Sequence, residues 1–208
     1  MKKLLLLAVV TVMGLTASAQ TEKGSFVLGG SIGYYKDKYT PDNNKLSSFN
    51  IAPSAGYFVA DNIAVGLGLG YWQAKYDQNA GTINGGPLRA TMKEELFSIR
   101  PFVRYYKSVS DQFKFFGNLQ VPLSFGNIKS SANYPGTNIR KTNAVGASFS
   151  PGFAYFPTSK LGIEFSVEGI TYNDTSYDYK SNTSNGHTKQ FRIGANLMSP
   201  LIGVQYYF

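Results

Sequence analysis

The sequence predicts an all-β protein, an eight-stranded antiparallel up-and-down transmembrane β-barrel that follows a cleaved signal peptide. Apolar and small residues alternate with period 2 in eight segments, which is the pattern of strands with two different faces. The apolar face repeatedly ends in aromatic residues, as the outside of a membrane barrel does. Charged residues make up 15% of the chain, below the roughly 25% of typical soluble domains.

Residues 1–19 have the order of a secretory signal peptide. A basic start, Met1-Lys2-Lys3, precedes an apolar run from Leu4 to Leu15 and a small-residue cleavage site ending at Ala19. The run is too short to cross a bilayer of about 30 Å as a helix. We expect cleavage after Ala19, which leaves residues 20–208 as one barrel domain. Removing 19 of the 208 residues leaves 189, and the formal charge falls from +8 to +6.

The first four segments are 26–34, 49–59, 63–71 and 97–105. Each places apolar side chains at every second position and carries no charge on that face. Each also has a tyrosine at or near its end, at Tyr34, Tyr57, Tyr71 and Tyr105. Alternation of this length predicts four strands with one apolar face.

The last four segments are 113–125, 145–155, 161–169 and 191–208. The fifth begins on Phe113 and the sixth ends on Tyr155, so we expect both residues to join the four tyrosines in aromatic girdles at the membrane surfaces. Val167 and Gly169 continue the apolar parity of the seventh segment. In the eighth, the parity changes near Met198-Ser199-Pro200, which predicts a bulge.

Alternation alone also fits a soluble barrel with its apolar face inward, and the opposite face decides between the two. That face consists mainly of Gly, Ala, Ser and Asn, which suits a crowded interior better than a charge-rich, water-exposed surface. A few charged residues lie among them. These predict a polar network in the lumen: Arg100, Arg104, Lys114, Glu164 and Glu168.

The lumen of an eight-stranded barrel is just wide enough to be filled by side chains. Charges there should pair, because an unpaired buried charge is costly. The network is interpreted as a packed polar core, with a narrow gated pore opened by ion-pair exchange as the alternative.

The connections also predict an asymmetric barrel. Residues 60–62, 107–112 and 157–160 read as short periplasmic turns. Four longer polar stretches read as extracellular loops: 36–46, 77–92, 128–142 and 173–188. Five prolines leave the exact strand boundaries open, because proline cannot donate to a ladder; they are Pro53, Pro101, Pro122, Pro151 and Pro200.

The leader, the eight segments and the ending Ile202-Gly203-Val204-Gln205-Tyr206-Tyr207-Phe208 together resemble small eight-stranded outer-membrane barrels of the OmpX type and the OmpA transmembrane domain. The resemblance implies a monomer in a Gram-negative outer membrane, in contact with outer-membrane lipid and lipopolysaccharide. It also implies that the barrel assembly machinery reads the last strand. The signal residues would be Ile202, Val204, Tyr206 and Phe208.

The resemblance and the patterning together favour a structural or surface-interaction role, with a possible extracellular ligand at the four loops. A narrow porin-like channel for ions or small solutes is the alternative. The Gly66 to Gly70 run lacks GxGxxG spacing, so no nucleotide site is expected. The scattered Lys and Arg residues, in an exported chain, argue against nucleic acid.

A lipid-modifying enzyme is a less favoured reading. A serine nucleophile needs a base within reach and an orienting acid. His187 is the single histidine, with Ser184 and Asp178 near it in sequence but no family motif around it. We therefore expect no catalytic site, no cofactor and no metal. The chain has no cysteine, which excludes disulfides and thiolate metal sites.

Overall fold

A computed structural model describes residues 21–39, 43–83, 86–132, 137–179, 185–195 and 201–208. These residues form eleven strand segments and no helix. In chain order the segments are β1 Phe26–Tyr39, β2 Asn44–Ala60, β3 Ile63–Ile83, β4 Gly86–Ser108, β5 Phe113–Gln120, β6 Leu123–Ala132, β7 Thr137–Tyr155, β8 Leu161–Ser166, β9 Ile170–Tyr179, β10 Gly186–Ile193 and β11 Leu201–Tyr207. Within the described ranges, no helix has the length and apolarity needed to cross a membrane.

The eleven segments make eight antiparallel strands, as predicted. β5 and β6 both pair with β4 and with β7, so they are two parts of one strand, broken at Val121-Pro122. β8 and β9 both pair with β7 and form another broken strand. β10 pairs with β9 and β11 with β8, so these two form the last strand.

The barrel closes where the first strand meets the last. β1 and β11 pair antiparallel, from Val27 opposite Tyr207 to Gly30 opposite Val204. This closure lies in the half of the barrel near the short turns. Farther from the turns, β1 pairs with β2 and β10 with β9. Over these four residue pairs, closure gives the edges of the first and last strands backbone partners, which a lipid environment requires.

The predicted apolar face points outward. Its large side chains are exposed along every strand, including Leu28, Leu67, Val103, Leu119, Phe149 and Val204. Residues of the other parity, such as Ala64 and Ala154, are fully buried in the lumen. The fold prediction is therefore confirmed, because a closed barrel with apolar side chains on its outside is the architecture of a membrane barrel.

The seventh strand differs from the prediction, because it is broken and its alternation shifts. Residues 167–169 leave the ladder, and outward exposure resumes at Ile170 and Tyr172, not at Gly169 as predicted. This break lies beside Pro151, which has no N–H to offer its neighbour. The Val167 N–H donates instead to the Pro151 carbonyl at 3.1 Å. The parity of the strand therefore shifts by one residue between β8 and β9.

The three short turns are confirmed. Asp61 and Asn62 join β2 to β3, and Asn62 adopts a positive φ of 65°, which asparagine tolerates well. The other two turns follow Ser108 and Tyr155. The end of the barrel that carries these turns is called the turn end below.

The four predicted loops are mostly strand. β3 runs to Ile83 and β4 begins at Gly86, and the other three hairpins are similarly long. The end of the barrel formed by these hairpins is called the hairpin end. Polar residues dominate both faces there, so the alternation signal disappears although backbone pairing continues. The predicted bulge at Met198-Ser199-Pro200 lies outside the described residues.

Glycines on the inward face make room for large side chains opposite. A Cβ on Gly66 would collide with the Phe102 ring and the Ala55 carbonyl. A Cβ on Gly68, two residues along the same face, would approach Arg100 no closer than 3.6 Å.

We therefore expect Gly66→Ala to lower the free energy of unfolding by about 1–3 kcal/mol through overpacking. Urea titration of the detergent-refolded protein measures this change. Gly68→Ala is the control and should change stability little. Equal effects of the two substitutions would contradict this account of the lumen.

Candidate functional site

A buried ion pair crosses the lumen near the turn end. Arg104 of β4 donates through Nη1 to both carboxylate oxygens of Glu164 on β8, at 2.8 and 2.7 Å. β4 and β8 are not neighbours in the barrel, because β5 and β7 lie between them. The side chains are only 14% and 6% exposed. The interaction therefore fixes opposite walls of the barrel relative to each other.

Three further donors complete the surroundings of Glu164. The hydroxyls of Tyr106 and Tyr207 donate to Oε1 at 2.9 and 3.1 Å, and Gln205 Nε2 donates to Oε2 at 3.2 Å. Arg104 is held in turn by Asn118, whose Oδ1 accepts from Nε at 3.1 Å. A buried charge needs this density of partners to offset its desolvation.

Five aromatic side chains fill the lumen next to this pair, at the turn end. We call them the aromatic floor: Phe58, Tyr106, Phe116, Phe156 and Tyr207. Four of them are less than 2% exposed and Phe116 is 6% exposed. Their ring centroids lie 5.1 to 6.2 Å apart in four contacting pairs, within the range of favourable aromatic contacts. The floor packs the lumen where the strands enter the short turns.

The floor arises from pairs of adjacent aromatic residues, which sequence analysis missed. Neighbours on a strand point to opposite faces, so one ring of each pair faces outward and the other faces the lumen. The five pairs are Tyr57-Phe58, Tyr105-Tyr106, Phe115-Phe116, Tyr155-Phe156 and Tyr206-Tyr207. In every pair the second residue is buried and the first is more exposed. An aromatic dipeptide near a strand end was the signal that could have revealed the floor.

The residues before β1 fold against the floor from the turn end. Thr21 is 3% exposed, and its hydroxyl donates to Asn62 Oδ1 at 2.6 Å. Lys114 donates to the Thr21 hydroxyl at 2.6 Å and lies over the Phe156 ring at 5.7 Å. Lys114 thus faces the inside, on the turn-end side of the floor, and does not reach Glu164.

The structure brings together only part of the predicted lumen network. Arg104 and Glu164 pair directly. Arg100 lines the same cavity of about 130 Å³ and donates to the Leu69 carbonyl at 2.9 Å. Glu168 is exposed in the break between β8 and β9 and does not join the cluster, because the parity shift moves it away. The Arg104–Glu164 ion pair thus links two walls of the barrel, and a small polar cavity lies on its hairpin side.

The predicted girdle residues lie at two levels. Tyr57, Tyr105, Phe113 and Tyr155 lie near the turns, and Phe113 contacts Tyr155 with ring centroids 4.9 Å apart. Tyr34 lies eight residues beyond Phe26, about 26 Å along the strand.

Tyr71 lies at the same level as Tyr34, eight residues beyond Ile63, and Phe97 lies directly opposite it. With the usual strand tilt of about 40°, the two levels are about 20 Å apart, close to the height of the apolar band of a membrane barrel. The upper level is called the outer ring and comprises Tyr34, Phe49, Tyr71, Phe97 and Phe125.

The last strand has the predicted orientation. Ile202 and Val204 are exposed, and Gln205 is buried against Glu164. Phe208 stacks on Phe26 with a centroid distance of 5.7 Å, and Tyr206 contacts Phe208 at 6.0 Å. These contacts tie the first strand to the last at the turn end. The role of this strand in recognition by the assembly machinery stays a prediction.

His187 lies on β10, far from the floor, and pairs with Asp174 Oδ1 at 2.6 Å. Its side chain is 53% exposed. Ser184, its candidate nucleophile, lies outside the described residues. Within the described ranges, no three His, Asp or Glu residues are grouped as metal ligands.

The chain is similar to several solved structures of outer-membrane and surface proteins. Neisserial surface protein A is 13% identical, with a TM-score of 0.47 over 89% of this chain and 98% of that one. OprG from Pseudomonas aeruginosa is 17% identical, with a TM-score of 0.49 over 92% and 99%. Outer Membrane Protein W of E. coli is 15% identical, with a TM-score of 0.47 over 90% and 99%.

No curated protein matches the chain at a significant level. The family model described as the outer membrane protein beta-barrel domain matches residues 5–198. That match extends over most of the sequence and agrees with the closed antiparallel barrel. The chain therefore belongs to the family of outer membrane protein beta-barrel domains.

Proposed function

We propose that the protein is a surface-interaction barrel of the outer membrane, whose long hairpins meet extracellular partners. One observation carries the proposal: four hairpins extend beyond the outer ring while the aromatic floor packs the opposite end of the lumen. In this orientation the short turns face the periplasm, as is usual for such barrels. Export by the leader 1–19 and insertion through the assembly machinery belong to the same proposal.

The hairpins offer a surface suited to protein contacts. Tyr35, Tyr39 and Tyr76 lie beyond the outer ring, and tyrosine provides large contact area at low entropic cost. The Tyr35 hydroxyl donates to Asp37 at 3.0 Å, and this hydrogen bond helps to hold the pKa of the Asp37 carboxyl below its usual value. The first hairpin thus presents a fixed negative charge between tyrosines.

Shortening the hairpins one at a time tests the role. Each variant replaces one hairpin tip with a two-residue turn, and adhesion to host or neighbouring cells is measured together with envelope stress. We expect at least one hairpin to be required for adhesion, with no loss of heat-modifiable mobility in the outer-membrane fraction. The matched control shortens the turn 109–112 at the other end. Unchanged adhesion in all four variants would contradict the proposal.

A narrow channel is the second candidate, and the polar cavity lined by Arg100, Arg104 and Glu164 favours it. Conduction would require the Arg104–Glu164 pair to separate and the floor to move. We expect the unmodified protein to be silent in planar bilayers. Reproducible single-channel steps that change in Arg104→Ala or Glu164→Gln would support the channel instead.

A further inference from the structure

Three lysines lie side by side on the outside of the barrel, beyond the outer ring. Lys75 of β3 is directly opposite Lys93 of β4, and Lys93 is directly opposite Lys129 of β6. Their side chains are 46%, 38% and 48% exposed. We call these three residues the lysine row. Adjacent strands are about 4.8 Å apart, so the row spans roughly 10 Å.

By itself the lysine row destabilises the sheet, because like charges directly opposite each other on neighbouring strands repel. Two carboxylates relieve part of this repulsion. Glu95 accepts from Lys93 at 2.9 Å and from Lys129 at 3.4 Å, and Asp77 pairs with Lys75 at 3.0 Å. Three cations against two anions leave the row with an uncompensated positive charge.

Neighbouring strands extend the positive surface. Lys38 and Lys45 are another directly opposed pair, on β1 and β2, and Lys36 lies next to them. All three are exposed. Asp37 has the opposite parity, so β1 and β2 carry no outward acidic residue at this level in the described sequence. Asp77 of β3, which pairs with Lys75, lies directly opposite Lys45. Six lysines therefore stand against two carboxylates. The excess positive charge therefore continues over five adjacent strands.

The height of the lysine row above the outer ring indicates which layer of the membrane surrounds it. Lys75, Lys93 and Lys129 each lie four residues beyond a ring residue, namely Tyr71, Phe97 and Phe125. Four residues correspond to about 13 Å of strand, or about 10 Å of height at a tilt near 40°. Aromatic rings mark the edge of the hydrocarbon, so the row lies in the headgroup layer.

We propose that the lysine row binds phosphate groups of anionic glycolipid headgroups in the outer leaflet. This inference rests on the outward direction of the hairpins in the proposed function. Lysine is a common phosphate-binding residue, and a doubly charged phosphate placed between two ammonium groups turns their repulsion into attraction. The outward side chains face lipid and not a packed protein surface, which favours a lipid headgroup over a protein partner.

Lipid A species that differ only in phosphate number test the proposal. The refolded full chain in nonionic detergent is mixed with diphosphoryl, monophosphoryl or enzymatically dephosphorylated lipid A, and its unfolding temperature is read from the heat-modifiable gel band. We expect the largest rise with the diphosphoryl form and little with the dephosphorylated form. High salt should reduce the difference, because exposed charges are screened.

The triple variant Lys75→Gln, Lys93→Gln, Lys129→Gln should lose the phosphate-dependent rise while unfolding at a similar temperature without lipid. Lys93→Gln alone, in the centre of the row, is measured in parallel and should lose part of the rise. Lys107→Gln is the matched control, since Lys107 is exposed on the same strand near the turn end. It should keep the full rise.

Equal rises with all three lipids, or an undiminished rise in the lysine variants, would overturn the proposal. So would the same rise with inorganic phosphate alone at equal concentration, which would point to a free anion. Failure of these lipid measurements leaves the hairpin adhesion result standing, and loss of adhesion leaves the lipid result standing, so the two proposals fail separately.

Discussion

Glu164→Gln is expected to lower the free energy of unfolding by about 3–5 kcal/mol, the usual cost of removing one partner of a buried ion pair. The substitution leaves the Arg104 guanidinium without its counter-charge in a site where both side chains are nearly buried. It also weakens the hydrogen bonds from Tyr106 and Tyr207. Urea unfolding in detergent micelles, followed by heat-modifiable mobility, measures the change.

Lys107→Gln is the control for this substitution, because Lys107 is on the same strand as Arg104 but exposed on the outside. It should change stability by less than about 0.5 kcal/mol. The double variant Arg104→Met, Glu164→Gln should be more stable than the sum of the single effects implies, since neither charge is then left alone. Additive effects would show that the two residues do not depend on each other.

Phe58→Ala is expected to be similarly destabilising, by about 3–5 kcal/mol, because it opens a cavity in the aromatic floor. Phe58 is fully buried and contacts both Tyr106 and Tyr207, with centroid distances of 5.9 and 6.2 Å. The same urea titration measures the loss.

Tyr57→Ala is the matched control, since Tyr57 is the adjacent residue and 39% exposed on the outside. It should cost clearly less, because a neighbouring lipid or detergent chain replaces the lost contacts. A larger effect at Tyr57 than at Phe58 would contradict the description of the floor as the packed core of the turn end.

The sequence was sufficient to predict the eight strands, because long period-2 alternation has few other physical explanations. The outward direction of the apolar face followed from the small, mostly uncharged residues of the opposite face. It also identified Arg104 and Glu164 as inward charges that should pair, but not which charges pair with each other. Pairing depends on barrel register, which brings β4 and β8 to facing positions and which alternation does not encode. The prediction that Glu168 joins the lumen network was wrong. It assumed that the alternation of the seventh strand continues through residues 167–169, where the strand is broken beside Pro151 of β7.

The aromatic floor was missed for a different reason. Phe58, Tyr106 and Tyr207 occupy positions on the face that was otherwise small and polar, and each stands next to an outward aromatic residue that accounted for the pattern. The hairpins were read as loops because their residues are polar on both faces. In that situation strand pairing is set by the preceding register rather than by side-chain burial.

The most direct test of a barrel with hairpins outside and turns inside is cysteine accessibility, which the cysteine-free sequence permits. Gln78→Cys places a thiol on the hairpin end and Asp111→Cys places one in a turn, both at exposed positions. A maleimide carrying a large polymer, which does not cross the outer membrane, is applied to intact cells. We predict that the Gln78→Cys variant is labelled at once and the Asp111→Cys variant only after the membrane is permeabilised. Labelling of Asp111→Cys in intact cells, or recovery of both variants as soluble periplasmic protein, would contradict the account.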